Sequence, residues 1–220
     1  MISKEKFYTL GSGWLSSHGY GAFGSTPRFA DQDTGFKYPE LLEYLPELPS
    51  RFGRFDLYTK VTFTTAVLAL ADAGLLQRED KKNIGIVVGS STGVFDNDRA
   101  YFATTREANG SFTSPNLFSY TLPNVALGEI AVFFKLIGPT FCAGNNPSRP
   151  GFDLLPVALS LLASGQCSAI LAGWVEVADQ IKNQGALPKG AALTVLTMET
   201  TNKAKGEYQF DSQFNFMKLF

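Results

Sequence analysis

Apolar residues recur along this chain in two periods, and each change of period marks an element. Phe7 to Leu15 (FYTLGSGWL) reads as an opening strand that ends at glycines. Residues 16–50, rich in Gly, Pro, Ser and aromatics, make a long irregular excursion. Within it Tyr38, Leu41, Leu42, Tyr44 and Leu45 suggest a short helix, closed by Pro46 and Pro49. Asp56 to Ala73 is the first strong helix. Its Val61, Ala66, Leu68, Ala69 and Ala73 are apolar almost all round, which predicts burial on more than one side, and Gly74 stops it. Ile84-Gly85-Ile86-Val87-Val88 is the continuous run of a central strand in an α/β sheet. Two helices follow, a mixed one over 96–108 and an apolar one over 125–135.

Residues 135–177 have the strongest organisation. Thr140–Ala143 reads as a buried strand and Gly144–Gly151 as a tight polar turn, followed by a helix over 153–164 and a second apolar strand over 168–176. The helix carries Leu154, Leu155, Ala158, Leu161 and Leu162 at the spacing of a packed face. Asp153 is the expected N-cap, Pro156 fits only the first turn, and Gly165 stands where a C′ glycine belongs. Pro147 and Pro150 lack backbone donors, so the turn is expected to stay irregular until the helix starts near Phe152. After a polar linker over 178–188 comes a strand over 191–198. Tyr208, Phe210, Ser212, Phe214 and Phe216 then alternate, as a strand or as a hairpin turning near Asp211-Ser212. The order of elements predicts one α/β domain over residues 1–220. Its mainly parallel sheet of about five strands would be sandwiched by buried helices, with those at 56–73 and 153–164 both largely inaccessible.

Composition narrows the partners. A net charge of −1 gives no electrostatic reason to expect nucleic acid or an anionic membrane. The N-terminal residues lack the apolar core of a signal peptide, and no apolar run approaches the roughly 20 residues of a membrane span. Cys142 and Cys167 both lie in apolar segments, which suits a reduced, cytoplasmic protein. Neither has metal-ligand company and His18 is the sole histidine, so the residues imply no zinc site and no cofactor.

Three motifs compete for chemistry. Gly11 and Gly13 start a dinucleotide fingerprint but no third glycine completes it, leaving a plain strand-end turn. Gly89-Ser90-Ser91-Thr92-Gly93 after a strand has the form of a hydrolase nucleophile elbow, yet no histidine follows Ser91, and His18 lies upstream, in the wrong order for that fold. The strand, turn and helix of 140–164 make a second elbow, and it holds Asn-Asn-Pro-Ser-Arg-Pro with no cysteine.

That second elbow resembles the β-ketoacyl synthase family, condensing enzymes of the thiolase fold. Gly138-Pro139, the helix to Gly165, and Ala172-Gly173-Trp174-Val175-Glu176 match the family's landmarks in order, as do Asp72-Ala73-Gly74-Leu75 and the Pro-Asn at Pro123-Asn124. The resemblance puts the nucleophile-equivalent position at Pro147 or Ser148, where the family has cysteine. It covers roughly residues 7–200 and only the first half of a two-repeat fold, so the activating histidines of the second half have no counterpart. What it implies is a non-catalytic homologue similar to a chain-length factor, a partner or acyl-pocket subunit in fatty acid or polyketide biosynthesis. The alternative is a serine-dependent acyl hydrolase or acyltransferase using Ser91 or Ser148. Phe118, Phe133, Phe134 and Phe141 are the implied acyl-pocket or interface residues, against the simpler reading that such phenylalanines fill core. In the family the strand after Gly-Pro pairs with its copy across a two-fold axis. The resemblance therefore implies an obligate homodimer, or a heterodimer with a full-length ketosynthase, around residues 138–144 and the helix at 125–135. An acyl carrier protein is a further implied partner.

Overall fold

The computed structural model describes residues 5–22, 25–26, 28–29, 35–146, 150–178, 189–210 and 216–218. Among these described residues nine strands, β1 (Glu5–Ser16), β2 (Gly19–Ala22), β3 (Arg28–Phe29), β4 (Ile84–Ser90), β5 (Thr140–Gly144), β6 (Ala169–Glu176), β7 (Gly190–Thr197), β8 (Gly206–Phe210) and β9 (Phe216–Lys218), join in one sheet. Five α-helices of the described residues accompany them: α1 (Leu57–Asp72), α2 (Phe95–Arg106), α3 (Pro115–Ser119), α4 (Pro123–Phe134) and α5 (Leu155–Ala163).

The main path runs β3-β2-β1-β7-β6-β4-β5, with β8 on β1 and β9 on β8. β4 pairs in parallel with both β5 and β6. β7 is antiparallel to β6 on one side and to β1 on the other. Hence β1, β6, β4 and β5 point one way and β7 alone runs against them. The expected mainly parallel sheet is present as this five-strand core, extended at one edge by antiparallel ribbons. The tail takes the hairpin form, β8 against β9, with the turn outside the described residues.

α1 is the central helix of the first face. The Asp56 carboxylate caps it by accepting the Thr59 N–H at 3.0 Å, and every residue from Tyr58 to Leu70 except Lys60 is buried. Two glycines make that burial possible. A Cβ on Gly13 would lie 2.6 Å from the Ala69 nitrogen, and one on Gly11 would strike the Ala73 nitrogen, so α1 rests directly on the β1 backbone. The glycine pair is thus absorbed by packing. α4 lies beside α1, where Phe63 meets Phe133 and Phe134 at centroid distances of 5.4 and 5.9 Å. Ile86, Val88, Leu171, Val175, Leu193 and Val195 supply the sheet side of this core.

The opposite face is covered more thinly. Val87, Ile170, Ala172 and Leu196 pack on Leu154, Ala158, Leu159 and Leu162 of α5 and its lead-in. All seven residues of β4 are buried, as its unbroken apolar run predicts for a strand packed on both faces. The other side of α5 is open, so the expectation that helix 153–164 is largely inaccessible is corrected. Phe152 is 53% and Val157 38% exposed, because no second layer of the described chain lies over that side. Nor does Asp153 cap the helix. A 3₁₀ turn over Phe152–Leu154 precedes it, and Leu154, already in the αR region, takes the N-cap position without a side-chain bond. Pro156 sits in the first turn and Gly165 has φ of 69° just past the end, both as expected. Among the described residues no helix is long and apolar enough to cross a membrane.

Candidate functional site

The C-terminal ends of the parallel strands β5, β4 and β6 bring three loops together, the place where α/β sheets position functional groups. At its centre is Glu176, the last residue of β6, only 2% exposed. Its Oε2 accepts from the hydroxyls of Ser90 (3.3 Å) and Thr92 (2.9 Å) and from the Thr92 N–H (3.3 Å). Its Oε1 accepts the Ser91 N–H and, at 3.4 Å, the Asn145 side-chain amide. Five donors on one carboxylate fill its acceptor capacity. Burial of this acid is therefore matched by hydrogen bonds on both oxygens, and the group is committed to holding the loop after β4.

Asn145 closes the second loop. While its Nδ2 donates to Glu176, its Oδ1 accepts the Gly151 N–H at 2.8 Å, tying the two ends of the turn together. Gly151 has φ of 77°, which favours glycine, and its position against Trp174 leaves a Cβ only 3.1 Å from the indole ring. The α-helical register then starts at Leu155, consistent with the proline-delayed start expected from sequence. Pro147 and Ser148, the nucleophile-equivalent positions, lie outside the described residues.

Ser91 has a definite arrangement. Its hydroxyl donates to the Asn145 carbonyl at 2.8 Å, so its proton points at an acceptor that cannot take it up. His18 lies in the β1–β2 turn beside the Ser17 hydroxyl at 3.2 Å. β1 and β4 are separated by β7 and β6, three strand spacings or about 14 Å across the sheet.

The four phenylalanines do not meet around one cavity. Phe134 is fully buried against Phe63, and Phe133 is half-buried with the Arg78 guanidinium 4.2 Å from its ring centroid. Phe141 packs on the other side of the sheet with the α5 cluster, since successive strand residues point to opposite faces. Phe118 on α3 is 60% exposed, its ring 5.4 Å from that of Tyr101.

Beside Phe141, Cys142 turns toward α1, where the Tyr58 hydroxyl stands 3.6 Å from Sγ. Burial pushes the Tyr58 phenol well above its usual range, and its neighbours Cys142 and Glu176 add to the rise. Burial also raises the Cys142 thiol, partly opposed by the Tyr58 hydrogen bond. This thiol is a packed, protonated group rather than a nucleophile.

Two clefts flank the centre. One of about 150 Å³ lies by Tyr58, Gly93 and Val177, smaller than typical ligand sites of roughly 300 Å³ and above. The other, about 360 Å³ and mostly apolar, opens on the thinly covered face between Phe7, Phe152, Leu155, Trp174, Leu196 and Tyr208. The Phe7 and Tyr208 rings stack there at 5.1 Å.

In the sequence Glu176 stands out only as a landmark at a strand end, and Asn145 only as one residue of a turn. An acid ending an otherwise apolar strand after Gly173 was the available signal for a buried carboxylate with donors around it.

Residues 44–205 match the family model for the β-ketoacyl synthase N-terminal domain. The 3-oxoacyl-[acyl-carrier-protein] synthase 2 of Rhizobium meliloti is 29% identical over 132 residues, 58% of this chain and 31% of that protein. A β-ketoacyl synthase from Burkholderia phymatum superposes with a TM-score of 0.67 at 17% identity, over 93% of this chain and 63% of that one. The ishigamide ketosynthase/chain length factor gives 0.63 at 16% identity, over 88% and 62%. The chain therefore corresponds to less than two thirds of the length of each.

Proposed function

The chain belongs to the β-ketoacyl synthase family, and we propose that within it this protein is a non-catalytic member, a paired subunit of the chain-length-factor kind in fatty acid or polyketide assembly. One observation carries this reading. The turn between β5 and α5, AGNNPSRPG, holds no cysteine where the family places its nucleophile. The likeness to a ketosynthase/chain length factor fold supports it. So does the commitment of the Glu176 carboxylate to five hydrogen-bond donors, which leaves it no free oxygen to serve as a base. Without a thiolate the acyl chain has no covalent carrier, and Claisen condensation cannot start. The two free cysteines, Cys142 and Cys167, suit a reducing cytoplasm.

A partner has two surfaces to use. β5 is the terminal strand of the sheet path and contains neither charge nor proline, the ordinary protections of an edge. Beside it Leu122, Val132 and Ile137 are exposed, Val132 at 80%. The apolar cleft beside α5 is the second. The reading is a homodimer or a heterodimer with a full-length ketosynthase that receives acyl groups from a carrier protein.

Intact mass after incubation with an acyl-thioester probe and with a fluorophosphonate tests the chemistry. The expected result is no adduct; stoichiometric labelling lost in Ser91→Ala or Ser148→Ala would establish the serine enzyme instead. Sedimentation at micromolar concentration, alone and with a ketosynthase, tests the pairing. Phe141→Lys is a poor probe because Phe141 packs inward. Val132→Lys places the charge on open surface and should break the contact without unfolding the chain.

A further inference from the structure

The edge strand β5 carries its own guard. The Ile86 N–H donates to the Pro139 carbonyl at 2.8 Å, which fixes the alternation of the strand's backbone groups. Pro139, Phe141 and Ala143 direct theirs toward β4, and Thr140, Cys142 and Gly144 direct theirs outward. An antiparallel ladder between two copies of β5 would use these three outward residues, and Cys142 is the middle one. Its N–H, however, is already taken. The Asn124 side chain, in the first turn of α4, accepts it through Oδ1 at 2.7 Å.

We propose that Asn124 is a gatekeeper of the β5 edge: its side chain occupies the central outward amide and competes with strand addition by a second copy of this chain. The geometry suits a removable guard. Asn124 itself is exposed, so it can swing into water when a partner strand arrives. It sits on a helix anchored beneath it by buried Ala126, Leu127 and Ile130, so the acceptor returns to the same place when the partner leaves. A neutral hydrogen bond of this kind is weak in net terms, which makes the guard a modest bias against edge pairing rather than a block. Edges left open invite indiscriminate pairing, and a side-chain acceptor over the middle donor admits only a partner that offers a better one. The exposed Leu122 and Val132 on and before the same helix supply that partner's apolar contact.

The biological use of the guard rests on the paired-subunit reading, so the test separates the two. Asn124→Ala removes the acceptor without adding apolar surface, and Asn124→Asp keeps an acceptor at the same place. Hydrogen exchange of the Cys142 amide in the dilute protein reads the guard directly. Exchange should speed up at least tenfold in Asn124→Ala and stay near wild type in Asn124→Asp, with thermal unfolding confirming that both variants fold. Sedimentation reads the competition: Asn124→Ala should self-associate about three to ten times more tightly than wild type, the worth of one neutral hydrogen bond. Unchanged Cys142 exchange in Asn124→Ala overturns the guard, as does weaker association of that variant, which would make Asn124 an interface contact. If no variant self-associates at any concentration the competition with a second copy is overturned whatever the Cys142 exchange shows, while association with an added ketosynthase would still uphold the paired-subunit reading.

Discussion

Gly13 lies directly under Ala69, with the Ala69 nitrogen 2.6 Å and the Thr65 carbonyl oxygen 2.7 Å from where a Cβ on Gly13 would stand. No flexible side chain intervenes; backbone would have to move. Gly13→Ala should therefore lift α1 off β1 and cost about 3 kcal/mol or more, the scale of overpacking a core. Urea unfolding at constant m-value measures it. A loss under about 0.5 kcal/mol would mean that α1 can shift as a body.

Glu176→Gln turns one acceptor into a donor amid groups that are all donors. Five hydrogen bonds are involved and the site is closed to water, so a loss of about 3 kcal/mol is expected. For a chain of this size that is about a 6–12 °C fall in Tm. Glu176→Ala should do at least as much harm. Equal stability of wild type and Glu176→Gln would show that the carboxylate is not the organiser of the strand ends.

Alkaline pH should destabilise the fold through Tyr58 and Cys142. Both are raised by burial, so the unfolded chain loses their protons first, the thiol from about pH 8.5 and the phenol from about pH 10. Across that window the native state binds more protons than the unfolded one, and stability falls as pH rises. Below pH 8 these two groups contribute their full stabilisation. Tyr58→Phe should flatten the high-pH slope, and iodoacetamide should alkylate Cys142 in the folded chain far more slowly than free cysteine at pH 8.

Asp72 secures β8. Its carboxylate accepts the Ser12 N–H at 2.9 Å and pairs with Lys205, while the Lys205 N–H reaches the Thr9 carbonyl at 2.7 Å. Asp72→Ala strands a partly buried amide and releases the lysine, at a cost of about 1–2 kcal/mol. Hydrogen exchange should quicken in residues 206–210 before it does in β4 or β6. Uniform acceleration across the sheet would contradict a local role.

The legible parts of the fold were those whose signal is local. α1 was readable because apolar residues circle it, and β4 because an unbroken β-branched run has little alternative. The Asp72-to-Leu75 phrase and Gly138-Pro139 pointed to the right family from residue types alone. The reversed direction of β7 was not readable, since a strand buried on both faces looks the same either way along the chain. Gly19–Ala22 has too little apolar pattern to announce β2. The half-open state of α5 depends on what lies over it, not on its own leucines. The roles of Glu176 and Asn124 escaped because their partners are 31–86 and 18 residues away, and only the meeting of strand ends brings them together.

The position of β7 between β1 and β6 has a consequence for how the protein is made. β1 precedes the other described strands, yet its place beside the parallel strands does not exist until β7 has been laid against β6, and β7 follows some 180 residues later. At typical synthesis rates that is roughly ten to forty seconds. Throughout the wait β1 has only the short β2 and β3 ribbon beside it, and α1 lacks the β7 surface it will cover. The long closure of β1 onto β7 should therefore make refolding slow for a chain of this stability, a rate that stopped-flow mixing reads.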